Sequence, residues 1–77
     1  MANVSRTKVL QALKNMGYVE KDKGDDIVAL VRQDNPDDPY PVIVDISRSS
    51  IPLDDLRDHL ELCGVDWGAF LQILETL

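Results

Sequence analysis

Four sets of side chains in this 77-residue chain have types and spacing that could do chemistry. His59 and Cys63 stand one helical turn apart, an imidazole and a thiol. Asp25 and Asp26 are adjacent carboxylates that could hold a divalent cation with help from Asp45. Ser47-Arg48-Ser49-Ser50 precedes a helix and could receive a phosphate at its N-terminus. Lys8, Lys14, Lys21 and Lys23 form the main concentration of positive charge. Each has a plainer reading. His59 is the only histidine, and with no partner evident it reads better as a half-buried or surface side chain than as a catalyst. Cys63 continues an apolar stripe and reads as a small core residue. Adjacent carboxylates on a strand point to opposite faces, which is poor ligand geometry, so no metal or other cofactor is expected. Asp54 and Asp55, directly behind the serines, argue against a phosphate there. Trp67 and Phe70 are read as core.

Charge distribution says more than its sum. The net charge of −6 disfavours nonspecific binding to nucleic acid. Residues 1–23 carry five basic side chains (Arg6, Lys8, Lys14, Lys21, Lys23) against Glu20 and Asp22, a net of +3. Residues 24–77 carry three basic against twelve acidic, a net of −9. The chain is bipolar. Such unevenness is common in small domains; its sharper meaning is a basic contact face on the first helix and first strand.

The elements that must position these groups follow from periodicity. Ser5 or Thr7 is expected to cap a first helix in which Val9, Leu13 and Met16, with Leu10 and Ala12 beside them, make the apolar stripe. Lys8, Gln11, Lys14 and Asn15 then fall on the opposite face. Gly17 is a natural helix stop. Tyr18 to Asp22 is a short polar strand, expected at an edge. Lys23-Gly24-Asp25 turns it into a second strand, Ile27 to Gln33, with Ile27, Ala29 and Val31 on one side. Asp34 to Pro39 is a loop. Val42, Val44 and Ile46 alternate with Ile43, Asp45 and Ser47, as in a half-buried strand. Pro52 opens a second helix whose buried face is Leu53, Leu56, Leu60 and Cys63; Asp54 and Asp55 in its first turn suit the helix dipole. Gly64 closes it. Asp66 caps a third helix bearing Trp67, Phe70, Leu71 and Leu74. The expected order is α-β-β-β-α-α in a single α+β domain spanning 1–77, an antiparallel sheet with helices on one face.

No run of 18 apolar residues exists, so no membrane span is expected. Residues 1–5 lack the apolar stretch of a signal peptide, and the lone cysteine cannot close an internal disulfide, so a cytoplasmic location is expected. A core this small is marginal, and a partner or homodimer would add buried area.

Taken in order, several stretches resemble the HicA toxins, also called YcfA-like proteins, which are small mRNA interferases of toxin–antitoxin systems. Val9 to Met16 followed by Gly17-Tyr18 is similar to their opening helix and Gly-aromatic junction. Lys23-Gly24-Asp25-Asp26-Ile27-Val28 is similar to their Lys/Arg-Gly-Ser-His turn. Ile43-Val44-Asp45 through Ile51-Pro52 resembles their third strand and its exit. Leu56-Arg57 to Gly64, then Phe70-Leu71, resembles their ending. The resemblance implies a fold like that of double-stranded-RNA-binding domains, α-β-β-β-α, with an additional C-terminal helix. It implies RNA as a ligand and a HicB-like antitoxin as partner.

One departure from that pattern bears on the chemistry. Asp25 stands where the family has Ser, and Asp26 where it has the catalytic histidine. An imidazole takes and gives a proton near neutral pH, whereas a carboxylate is ordinarily ionised there and repels a scissile phosphate. Asp26 thus marks a degenerate catalytic position, and mRNA cleavage is expected to be weakened or absent. The implied RNA-binding residues are Lys8, Lys14, Lys21 and Lys23, with weak affinity. The alternative function is a non-enzymatic protein-interaction domain without any nucleic-acid role.

Overall fold

A computed structural model describes residues 3–77, which form an α+β domain with three helices and antiparallel strands. The first helix, α1 (Arg6–Asn15), buries Val9, Ala12 and Leu13 completely, while Leu10 and Met16 flank them half-buried. Ser5 occupies its N-cap position, but no side chain makes a capping hydrogen bond there. Gly17, at φ +94°, carries the chain out through a left-handed conformation that side chains with a Cβ rarely adopt.

Three strands follow: β2 (Tyr18–Lys23), β3 (Ile27–Arg32) and β4 (Val42–Asp45), antiparallel in the spatial order β2-β3-β4. The β2 strand lies at an edge, and only Tyr18 of it is buried. Its register shifts between Glu20 and Asp22, so Lys21 has no partner on β3. A bulge of this kind also makes an edge harder to extend with a foreign strand. The alternation on β4 is as expected, with Val42 and Val44 inside and Ile43 and Asp45 outside. On β3 the inward residues are Val28 and Leu30, which join the helices in one core. Ile27, Ala29 and Val31 do share a side, and it is the side facing away from that core.

Two short strands were not legible in advance. β1 (Asn3–Ser5) pairs antiparallel with β5 (Ser50–Pro52), placing Val4 opposite Ile51 in a separate two-stranded ribbon. The ribbon joins the start of α1 to the start of α2 (Leu53–Leu62). Pro52 is therefore the last strand residue and the N-cap position of α2, rather than its first helical residue. Leu56 and Leu60 of α2 are buried, and Gly64, at φ +80°, closes the turn after Cys63. Asp66 caps α3 (Trp67–Glu75) by accepting the Ala69 amide at 3.2 Å. Phe70 of α3 is fully buried at the centre and stacks on Trp67, with ring centroids 5.4 Å apart. All three helices contribute to the core on the inner side of the sheet. No helix among the described residues is long and apolar enough to cross a membrane.

Candidate functional site

Arg6, Leu10 and Lys14 recur every four residues and so form one row along α1. That row overlooks the inner side of β2 and β3, where Lys23 pairs with Val28 and Glu20 with Leu30. Between them lies a cleft of about 310 Å³, lined also by Gln11 and Ile46. Three cations thus converge on it: Arg6, Lys14 and Lys23. Glu20 is the one carboxylate in its wall, with an oxygen 4.0 Å from the Lys14 ammonium. Both partners are substantially exposed, so the pair is weak and an anion could compete with Glu20 for Lys14.

Arg6 is held at both ends of the residue. Its backbone amide donates to the Ser49 carbonyl at 3.1 Å, and its guanidinium donates to the Ile46 carbonyl. It is a preorganised cation rather than a free-swinging one. Sequence reasoning missed it, although its fourfold spacing to Leu10 and Lys14 was readable.

The structure brings Lys14 and Lys23 together and separates them from the other two lysines. Lys8 lies roughly 120° around α1 from Lys14, at about 100° per residue, and does not line the cleft. Lys21 sits in the irregular stretch of β2 and is exposed, also outside the cleft. Asp26 is exposed in the turn between β2 and β3; its backbone carbonyl accepts the Ile46 amide at 2.8 Å, and its side chain is not part of the cleft wall. Among the described residues no three His, Cys, Asp or Glu side chains gather as a metal-ion site.

His59 has the partner that the sequence could not reveal. Its Nε2 accepts the Ile43 amide at 3.0 Å, on the open edge of β4. Four residues on, the Cys63 thiol reaches the Pro41 carbonyl at 3.7 Å and the same Nε2 at 3.8 Å. Burial pushes the Cys63 thiol above its ordinary pKa, and Asp38 adds to this. A raised pKa is the opposite of what a nucleophilic thiol needs. The His59–Cys63 pair is thus a structural clasp between α2 and the sheet edge.

The outer side of the sheet differs from the cleft. In successive rows it carries Val19 opposite Val31, Asp22 and Ile43 on either side of Ala29, and Asp45 opposite Ile27. Asp45 accepts both the amide and the hydroxyl of Ser47, and those bonds hold its carboxyl below the usual carboxylate range, with Arg48 adding a smaller effect. The outer face thus carries the carboxylates of Asp22 and Asp45, whereas three cations meet in the cleft on the helix side.

Compared with protein-family models, with curated proteins and with solved structures, the chain matches none of them.

Proposed function

We propose that this chain is a divergent HicA-like domain that binds RNA weakly and does not cleave it. The observation that carries the reading is the convergence of Arg6, Lys14 and Lys23 on one cleft beneath α1, while the chain's single imidazole is bound to Ile43 at another edge. The element order β1-α1-β2-β3-β4-β5-α2-α3 contains the helix, three-stranded sheet and helix that the resemblance implies, with the β1–β5 ribbon and α3 in addition. In this reading Lys14 and Lys23 neutralise backbone phosphates, and Gln11 offers an amide to ribose or base edges. Arg6 fixes the floor of the cleft. Asp26 supplies neither the proton transfer nor the positive charge that phosphodiester cleavage asks of that position. A HicB-like antitoxin is the partner expected for such a domain. Glu20 and the overall negative charge keep the affinity low.

The test is binding of a short RNA hairpin at low and moderate salt, alongside a cleavage assay on mixed mRNA. Binding should fall with salt with a logarithmic slope of about −2, as expected for two or three neutralised phosphates. Lys14→Glu with Lys23→Glu should abolish it, whereas Lys8→Glu should have a small effect. Cleavage by the wild-type chain, abolished by Asp26→Asn, would overturn the non-cleaving half of the proposal. Absence of binding would overturn the RNA half.

The second reading, a protein-interaction domain, is favoured by a separate observation: the partly exposed apolar residues on the outer sheet face.

A further inference from the structure

Three apolar side chains on the outer sheet face remain open to solvent: Val19 at 40%, Ile27 at 46% and Ile43 at 38% exposure. The open strip runs along the central strand through Ala29 and Ile27, with Ile43 beside Ala29 on β4 and Val19 one row away on β2; it ends at Val31, the next outward residue, which is buried. Each edge of the strip carries a carboxylate. Asp22 lies on β2 and Asp45 on β4, with the central strand between them. Strands spaced about 4.8 Å apart put these two edges roughly 10 Å from one another. An α-helix with its side chains is about 10–12 Å across. A helix laid on the strip would press its apolar stripe onto Ile27, Ala29 and Ile43, and the flanks of that stripe would stand over Asp22 and Asp45.

We propose that the outer sheet face is a docking surface for a basic amphipathic helix of another protein, whose apolar stripe is bordered by Lys or Arg on both sides. Charge complementarity selects this occupant. An acidic or phosphate-bearing partner meets two carboxylates. A second copy of this chain, placed face to face, offers Asp22 and Asp45 the same negative charges. Asp45 stays ionised because Ser47 satisfies its charged form. Arg48 stands 4.0 Å from it, but both groups are largely exposed, so an incoming cation displaces little. Long basic side chains suit the geometry, since their stems cover apolar surface while their heads reach the edges. The inference rests on the outer face alone and is independent of the cleft and of any RNA affinity.

The probe is an 18-residue Leu/Lys amphipathic helical peptide, with its Leu/Glu counterpart as the charge-reversed control. Titration by calorimetry on the full chain at moderate salt should show binding of the first peptide and none of the second. Ile43→Asp, at an exposed position that leaves the core intact, should weaken binding at least tenfold. Asp22→Asn with Asp45→Asn should also weaken it at least tenfold; the carboxamide introduced by Asp45→Asn keeps an acceptor for Ser47. Asp54→Asn with Asp55→Asn makes the same change in net charge on α2 and should leave affinity within twofold. Equal losses from the two Asn pairs would mean attraction to net charge alone and would overturn the proposal. So would unaltered binding by Ile43→Asp, or binding of the Leu/Glu peptide. Self-association of the free chain, lost in Ile43→Asp and seen by sedimentation equilibrium, would overturn it too and assign the face to a second copy.

Discussion

The Ile43 amide donates to Nε2 of His59 at 3.0 Å, joining the edge strand of the sheet to the middle helix. An edge strand otherwise leaves such an amide open to pairing with a foreign strand. Replacing His59 with Leu removes the acceptor and should cost about 0.5–1.5 kcal/mol, the net worth of an ordinary hydrogen bond, because the freed amide at the exposed edge can turn to water. His59→Gln, which can offer a carbonyl oxygen, should recover part of that. Urea unfolding measures the first effect. Hydrogen exchange at the Ile43 amide measures the second, and unchanged protection in His59→Leu would mean that the bond does not close the edge.

Cys63 should be a poor nucleophile in the folded chain. Its thiol is half-buried and shifted upward by burial, so the fold favours the neutral form. The unfolded chain's thiol ionises at its ordinary value. As pH rises through that value the unfolded state loses its proton first, and stability falls until the folded thiol ionises as well. Alkylation should therefore be slow in buffer and fast in denaturant. Cys63→Ala should remove this part of the decline in stability on the alkaline side.

Gly17→Ala tests the exit from α1. An added Cβ meets nothing within 4 Å, so the cost is conformational rather than steric crowding with neighbours. The left-handed backbone at φ +94° predicts a loss of about 1–2 kcal/mol. Gly17→Asn should lose less, because Asn tolerates that region. Thermal melts of the two variants give the comparison. Equal stability of Gly17→Ala and wild type would show that the turn relaxes to another conformation.

Phe70 is the largest of the fully buried side chains. Phe70→Ala should cost about 3–5 kcal/mol through lost burial and a cavity. Natural domains hold about 0.05–0.15 kcal/mol per residue, so this change takes away much of the stability of a chain this short. Phe70→Ala should be largely unfolded at 37 °C, and Phe70→Leu folded with a lowered melting temperature. Circular dichroism distinguishes them.

The stripe of α1, the alternation on β4 and the stops at Gly17 and Gly64 were legible because each is a local pattern tied to a local conformation; on α3, Trp67, Phe70 and Leu74 pack on the core as expected, but Ile73 joins them in place of Leu71. The β1–β5 ribbon was not, since three-residue strands carry no usable period. Which side of β3 faces the helices was ambiguous for a related reason: Ile27 to Val31 is apolar at every position, so period two does not choose between Ile27-Ala29-Val31 and Val28-Leu30. Of the basic residues, the sequence groups Lys8, Lys14, Lys21 and Lys23, and only Lys14 and Lys23 of these line the cleft. Arg6 could not be assigned its place because its partners, Ile46 and Ser49, come from the far side of the sheet connection. His59 looked partnerless for the plainest reason, that a main-chain amide has no letter in a sequence.

The β1–β5 ribbon has a kinetic consequence. It joins Asn3–Ser5 to Ser50–Pro52, so most of the chain must be arranged before those few residues can meet. Closing so long a loop costs entropy that short strands barely offset. The ribbon should therefore close late in folding and open first among the native elements, before the core around Phe70 yields. Each opening loosens Arg6, whose amide and guanidinium are both tied beside the ribbon. The rate at which the cleft gains and loses its best-anchored cation is then set by the fraying of two three-residue strands, and amide exchange at Val4 and Ile51 would clock it.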